Sequence, residues 1–362
     1  MTITTDLVIV DYEDLTASSS TNNKNMMEAC DRAFGDDGIG IMGIRKIPGF
    51  VDAKANILKQ AHSLAHLPSK DLKNLEDPDS MFNAGWSHGK EMLKAGKPDL
   101  AKGSFYFNPI VDIPDPKDTQ EYPVSYPINR WPKDSLPALE PAAKQMGSMM
   151  KEVAVLLSLY IDKYAQSKNP EYPPDMIRNA LVDTEKVKGR LLYYFPLPES
   201  SSKATTDQEE EDSWIGWHND SGFLTALAGD IYMDEETGTM VQPPPDSTAG
   251  LHVVTRHDAV QKVEIPPDVM AIQIGECTQI LTGGAVVATP HCVKGAPNLA
   301  RATLACFVDV PPSVPLSLPP SSTPASIMAM ESNKVPTLQG RWENGMTFGS
   351  FLQRTFEAYY NQ

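Results

Sequence analysis

The sequence predicts a mainly β fold with flanking helices, in which a double-stranded β-helix, or jelly roll, forms the core. From Arg190 onward, short apolar segments alternate with turns and prolines, and their centres lie at Leu192, Trp214, Leu224, Leu251, Val263, Ile272, Val286 and Leu304. Before them, apolar residues from Leu139 to Tyr164 recur at helical spacing. We therefore expect a core over residues 138–362, with an N-terminal α/β region over residues 1–137 packed on it.

The N-terminal region alternates strand-like and helix-like patterns. Short strands are predicted at Leu7–Asp11 and Ile39–Ile44, and helices at Lys24–Phe34 and Val51–Ala65. Glycine and proline are frequent from Pro68 to Pro137, a composition that predicts ordered surface loops. We expect such loops to supply substrate contacts.

Within the core, the methionines of the long helix at Leu139–Tyr164 are attributed to packing against a sheet rather than to a pocket. Glu199–Asp212 is rich in Ser, Thr and Glu, so we predict that it is mobile. Asp234–Ala249 is predicted to be an elaborate turn, with a lid over the site as the alternative. Thr347–Tyr360 is predicted to be a helix that begins with Thr347 as its cap.

Bulk composition excludes several classes of partner. The chain has 362 residues, a hydrophobic content of 41% and a net charge of -16, which argues against nucleic acid or an anionic membrane surface. It contains neither a secretory signal pattern nor an apolar run of about 20 residues. Its 4 cysteines lack Cys-x-x-Cys spacing and predict free thiols. We expect a cytoplasmic protein, with monomer favoured, that acts on a small molecule.

The most specific motif combines His218 and Asp220 with His291. The apolar segment Ser213–Trp217 leads into His218, and residues i and i+2 of an extended segment project from the same face. The segment Ala285–Pro290, rich in β-branched and small residues, is predicted to be a strand that delivers His291 at its end. Two imidazoles and one carboxylate can hold a ferrous ion on one face and leave the opposite coordination positions open.

Ten residues beyond the second histidine, Arg301 and Thr303 share one face of a predicted strand. A guanidinium binds a carboxylate through two parallel hydrogen bonds, and a neighbouring hydroxyl adds a third donor. This pair would suit the distal carboxylate of 2-oxoglutarate.

With these motifs the chain resembles the isopenicillin N synthase-like branch of the Fe(II)/2-oxoglutarate-dependent oxygenases over nearly its whole length. The supporting segments are Gly38–Ile44, Lys102–Pro109, Gly189–Pro196 and Ala271–Glu276. The resemblance implies an oxidoreductase, a dioxygenase of secondary metabolism, that uses Fe(II), 2-oxoglutarate and O2 to abstract hydrogen from a small metabolite. Hydroxylation or oxidative ring closure would follow, and a narrower resemblance to algal kainoid synthases suggests a prenylated amino acid as the substrate.

The same resemblance implies roles for further residues. Tyr194 is expected to face 2-oxoglutarate, whereas Phe195 stands where the family has a second tyrosine. Arg190 is a nominee for binding a substrate carboxylate. The other candidates for substrate contact lie in the aromatic and polar loops or next to the metal motif, and they are Asn83, Trp86, His88, Tyr106, Arg130 and Phe223.

Two other classes of function remain open from the sequence. A non-catalytic jelly roll that binds or regulates would be indicated by loss of a metal ligand. A zinc-dependent hydrolase could use the same three ligands, but no general base is evident beside them and Arg301 would have no role.

Overall fold

The computed structural model describes residues 4–17, 19–91, 98–197, 213–243, 247–295, 298–328 and 332–360. The segment Glu199–Asp212, predicted to be mobile, lies outside the described residues.

The helices confirm the sequence prediction at each of its long apolar stripes. In chain order they are α1 Tyr12–Thr16, α2 Ser20–Phe34, α3 Phe50–Ala65, α4 Ser69–Asn74, α5 Pro116–Glu121, α6 Leu139–Lys168, α7 Met176–Leu181, α8 Glu276–Leu281, α9 Pro324–Met328 and α10 Phe348–Tyr360. The Thr347 hydroxyl accepts a hydrogen bond from the Ser350 backbone N–H at 3.3 Å, so it caps α10 as predicted.

Short strands make up most of the remaining regular structure. They are β1 Thr4–Thr5, β2 Val8–Asp11, β3 Ile41–Arg45, β4 Gly85–His88, β5 Lys102–Phe107, β6 Val187–Tyr194, β7 Ser213–His218, β8 Leu224–Met233, β9 Met240–Val241, β10 Gly250–Val254, β11 Val260–Val263, β12 Val269–Ile274, β13 His291–Lys294, β14 Ala300–Val308, β15 Pro315–Leu316 and β16 Met346–Thr347.

The strands form two large sheets that face each other. A 5-stranded sheet has the order β1-β11-β10-β13-β7. A 9-stranded sheet has the order β2-β3-β12-β8-β14-β6-β5-β4, with β9 paired to β8. This arrangement confirms the predicted double-stranded β-helix core with flanking helices.

The large sheet takes strands from both sides of residue 137. β2, β3, β4 and β5 belong to the predicted N-terminal region and are hydrogen-bonded into the same sheet as core strands. Part of the stretch predicted to be loops, Pro68–Pro137, is therefore β structure, because β5 pairs along its length with β6. The apolar stripe of α6 packs in the central core, as predicted, through fully buried residues such as Met146, Met150 and Leu157.

The predicted strand at Ala285–Pro290 is wrong. The chain instead forms α8, turns through Gly283 and Gly284 at φ 67° and 87°, and continues as buried irregular backbone until β13 begins at His291. The positive φ of both glycines makes a turn just before the predicted strand, and the missing N–H of Pro290 is unsuited to a regular ladder. His291 thus starts its strand and does not end one.

No helix of the described ranges has both the length and the apolar character needed to cross a membrane. All four cysteines, Cys30, Cys277, Cys292 and Cys306, are buried and none forms a disulfide bond, as predicted.

Candidate metal centre and adjoining cavity

Three potential metal ligands meet where β7 and β13 lie side by side. His218 is the last residue of β7 and pairs with His291, the first residue of β13. The Asp220 carboxylate Oδ1 lies 4.0 Å from His218 Nε2 and 3.8 Å from His291 Nε2. One ligand atom from each residue can be chosen so that all three lie within 4.8 Å of one another, a spacing at which a single ion could contact all of them.

Both imidazoles are oriented by backbone carbonyls. His218 Nδ1 lies 2.9 Å from Gly216 O, and His291 Nδ1 lies 3.1 Å from Thr289 O. If each Nδ1 carries the proton for this bond, each Nε2 keeps its lone pair for a metal. Burial lowers the pKa of His218 to about 4, helped by the neighbouring His291, so its imidazole is neutral at neutral pH. His218 therefore has the protonation state that metal binding requires.

A buried amide supports the second histidine. Gln273 on β12 is 1% exposed, and its amide lies 2.6 Å from His291 Nδ1. Because the one N–H of a protonated Nδ1 would be shared between Thr289 O and this amide, the amide oxygen is the group that suits this position, and amide orientation is assigned from such networks. Sequence reasoning missed Gln273, since only the packing of β12 brings it to the histidine.

The residue between the first two ligands is tied to the C-terminal helix. The Asn219 N–H donates to the Tyr359 hydroxyl at 3.1 Å, and its side-chain amide donates to Glu276 Oε1 at 3.1 Å. Glu276 is paired with Arg341 through bonds of 2.6 and 2.9 Å, and both side chains are almost fully buried. A buried ion pair therefore fixes the segment that carries His218 and Asp220.

A cavity of about 590 Å³ opens beside the three ligands. Arg301 lies in its wall at 5% exposure, donates from Nε to Asp230 Oδ2 at 2.7 Å, and places its guanidinium carbon 5.0 Å from the centre of the Tyr194 ring. Its Nη1 is buried and has no hydrogen-bond partner among the described residues. A buried guanidinium donor with nothing to bind is costly, and an anion in the cavity would satisfy it.

Two neighbours of Arg301 differ from expectation. The Thr303 hydroxyl lines the cavity but donates to Gly229 O at 2.8 Å, so it offers a ligand an acceptor more readily than the predicted third donor. Lys54 of α3, which sequence reasoning missed, also lines the cavity and donates to Pro267 O at 3.2 Å. Burial lowers the pKa of Lys54. A second cation thus stands near Arg301 and Asp230.

Comparisons with known structures identify the fold. A full-length Neurospora crassa protein in complex with alpha-KG and thymine is 17% identical, with a TM-score of 0.68 over 98% of this chain and 97% of that one. DAO1 (dioxygenase for auxin oxidation 1) of Arabidopsis thaliana, as a complex with 2-oxoglutarate, is 17% identical with a TM-score of 0.56, over 89% and 97%. JOX2 in complex with 2OG, Fe and JA is 18% identical with a TM-score of 0.60, over 98% and 86%.

This chain has the fold of the Fe(II)/2-oxoglutarate oxygenases. No protein-family model matches the sequence. A UPF0676 protein of Schizosaccharomyces pombe is 32% identical over 146 residues, so the match spans 40% of this chain and 40% of that relative's length. None of these proteins supports the narrower hypothesis of a kainoid synthase.

Within the oxygenase fold, the predicted Arg301, Thr303 and Tyr194 all line the cavity together with the three metal-ligand candidates. The six residues nominated for substrate contact are not among the lining residues, which are instead supplied mainly by β6, β8, β14 and the β9–β11 segment. Those six are Asn83, Trp86, His88, Tyr106, Arg130 and Phe223.

Each of the six has a partner that explains its position. Phe223 is fully buried against Phe348, because the chain turns its ring into the core just after the metal motif. Arg130 pairs with Asp77 at 2.7 Å. Trp86 is 3% exposed in the core, and His88 bonds to a backbone carbonyl.

Asn83 and Tyr106 are placed differently from the other four. The Asn83 side-chain oxygen accepts from Lys188 Nζ at 3.0 Å, and the Tyr106 ring lies under Lys188 and Arg190, with centroid distances of 5.8 and 5.1 Å. Arg190 lines the cavity, so Asn83 and Tyr106 form part of the layer of residues that supports the cavity wall.

Proposed function

We propose that this protein is a non-heme Fe(II)- and 2-oxoglutarate-dependent oxygenase that oxidises a small molecule. One juxtaposition carries the proposal. His218, Asp220 and His291 border the same cavity as Arg301, whose buried Nη1 has no partner among the described residues. The first group suits a metal and the second suits the carboxylate of a co-substrate.

In this proposal His218, Asp220 and His291 hold Fe(II) on one face. Iron bound with 2-oxoglutarate and O2 would supply hydrogen abstraction from a substrate C–H bond. Arg301 binds the distal carboxylate of 2-oxoglutarate through Nη1, while Asp230 holds its Nε and the Tyr194 ring covers the guanidinium. Because these contacts already exist, the donor needs little reorganisation when the carboxylate arrives.

The substrate is proposed to be a small metabolite. A cavity of about 590 Å³ falls within the range of small-molecule sites, and part of it must hold the co-substrate. Solved structures of the same fold contain thymine in one case and JA in another. We keep hydroxylation and oxidative ring closure as the two outcomes of hydrogen abstraction.

The zinc-hydrolase alternative leaves the cavity wall unexplained. A hydrolase would need only the three ligands and a metal-bound water, so it gives no reason for an anion-binding guanidinium in the wall. A regulatory jelly roll would not need the three ligands to converge.

Anaerobic addition of Fe(II) and 2-oxoglutarate to the purified protein tests the proposal. We expect a weak visible charge-transfer band that is absent in His218→Ala. In Arg301→Met the same band should need roughly 30-fold or more 2-oxoglutarate, because a buried charged donor is lost. Arg354→Met is the matched control, since that arginine forms a surface ion pair and should titrate as the wild type does.

Two results would contradict the proposal. One is the absence of any band in the wild-type protein with both components present. The other is turnover that zinc alone supports without O2.

A further inference from the structure

The inner face of β6 carries a second group of cations. Alternate residues of a strand share a face, and Arg190, Leu192 and Tyr194 all line the cavity. Lys188 is the next residue on that face and lies opposite Phe307, another cavity-lining residue. Lys188 is not itself a lining residue, but it lies next to the part of the wall that Arg190 and Phe307 form.

The charges at this end of β6 do not balance among the described residues. Arg190 pairs with Glu91 at 2.8 Å, and Lys102 pairs with Glu91 and Asp99. Among the described residues, no carboxylate oxygen lies within 4.0 Å of Lys188 Nζ, so the lysine forms no ion pair there. Its one hydrogen bond there goes to the neutral Asn83 amide.

The surroundings of Lys188 disfavour an unpaired ammonium. Burial lowers its pKa to about 7, and the nearby cations Lys186 and Arg190 act in the same direction, opposed only by Asp309. Both Lys188 and Arg190 lie over the aromatic ring of Tyr106. A bound anion beside Lys188 would offset the repulsion between this lysine and the cations Lys186 and Arg190.

This cation cluster lies far from the one proposed for 2-oxoglutarate. Along the paired strands β6 and β14, Arg301 lies opposite Tyr194 and Phe307 lies opposite Lys188. Six residues of strand correspond to roughly 20 Å. One carboxylate of the co-substrate cannot reach both ends, so the second cluster is available to another molecule.

The charges of this second cluster interact with the metal-ligand candidates. Arg190 contributes to the electrostatic environment of His218, and Asp309 interacts with both Lys188 and Asp220. Phe307 lies opposite Lys188 and lines the same cavity as the three metal-ligand candidates, so a molecule anchored at Lys188 would extend toward them along this apolar side chain.

We propose that Lys188, supported by Arg190 on the Tyr106 ring, binds a carboxylate of the substrate, so that the substrate class is a small organic acid with an apolar body. That the bound acid is a substrate rests on the proposed oxygenase function, but its binding at Lys188 can be measured without iron. Asn83 and Tyr106 act as positioning residues that hold the lysine.

Calorimetric titration of the metal-free protein with hexanoate and hexanamide tests the inference, because the two probes share an apolar body and differ in charge. We expect hexanoate to bind at least tenfold more tightly than hexanamide. Lys188→Met should weaken hexanoate binding about 10- to 100-fold, and Lys188→Arg should restore most of it. Lys117→Met, which alters an exposed lysine on α5, is the control and should bind as the wild type does.

The 2-oxoglutarate titration separates this inference from the proposed function. Lys188→Met should leave the 2-oxoglutarate dependence of the Fe(II)–2-oxoglutarate band unchanged, whereas Arg301→Met should need roughly 30-fold or more 2-oxoglutarate for that band and should keep hexanoate binding. The inference is overturned if the wild type fails to bind hexanoate, if acid and amide bind equally, or if Arg301→Met rather than Lys188→Met loses hexanoate. Loss of the band in the wild type would overturn the oxygenase proposal alone.

Discussion

Removing Arg341 should destabilise the protein strongly, because it would leave a charged carboxylate buried. Arg341 and Glu276 side chains are 4% and 2% exposed, and two guanidinium nitrogens contact the carboxylate at 2.6 and 2.9 Å. Breaking one partner of such a buried pair costs about 3–5 kcal/mol. Arg341→Met should therefore lower the ratio of folded to unfolded protein by a factor of roughly 150 to 5000.

Urea unfolding followed by tryptophan fluorescence, with linear extrapolation to water, measures this loss. Arg354→Met is the control, since its pair with Glu343 is exposed at 41% and 72% and is worth about 0–1 kcal/mol. The double variant Arg341→Met/Glu276→Gln should be less destabilised than the sum of the two single variants, because it no longer buries an unpaired carboxylate. Equal effects of Arg341→Met and Arg354→Met would refute the reasoning.

The same variant tests the link to the metal site. Glu276 also accepts a hydrogen bond from Asn219, which lies between two ligand candidates, so Arg341→Met should also weaken Fe(II) binding in the fraction that remains folded. An unchanged Fe(II) affinity would show that the buried pair stabilises the fold without positioning the ligands.

Three further changes are expected to have distinct effects. Gly275→Ala should cost about 1–3 kcal/mol or more in urea unfolding, because its Cβ would lie 2.2 Å from a backbone carbonyl oxygen, whereas Gly216→Ala, with nothing within 4 Å among the described residues, should be nearly neutral. Gln273→Leu should weaken Fe(II) affinity about 10- to 100-fold in a metal titration, since His291 loses its supporting amide. Burial lowers the pKa of His252 from 6.5 to about 4, so its contribution to stability is present above pH 6.5 and is lost as the pH falls toward 4. Replacing it by Leu should remove about 2 kcal/mol of the stability lost between roughly pH 7.5 and pH 5, and an unchanged pH profile in urea unfolding would contradict this.

The sequence predicted the elements whose evidence is local. A stripe of buried residues fixes α6, and the strand-like segment before the metal motif is β7, which ends at His218 with Asp220 two residues beyond it. It failed at Ala285–Pro290, where β-branched composition suggested a strand although Pro290 lacks the N–H that a ladder needs and two glycines at positive φ turn the chain just before this segment. It also failed for Phe223, because proximity to a ligand in the chain does not decide which way a side chain faces.

The remaining site residues depend on contacts between distant segments. Lys54 comes from α3 and Gln273 from β12, and neither belongs to a recognisable motif. Asp230 reaches Arg301 only because β8 and β14 are paired with a register shift nearby. Such residues can be found only once the sheet order is known.

The net charge of -16 describes the whole chain and does not predict the sign of its cavity. Four cations, Lys54, Arg190, Lys262 and Arg301, line the wall together with three carboxylates, Asp220, Asp230 and Glu264, and electrostatic attraction is stronger where water is excluded. Asp230 is paired with the Nε of Arg301, so the Arg301 Nη1, which has no partner among the described residues, is the buried donor available to a small anion. The net negative charge of the chain disfavours polyanions such as nucleic acid, whereas a small anion that enters the cavity meets this buried donor.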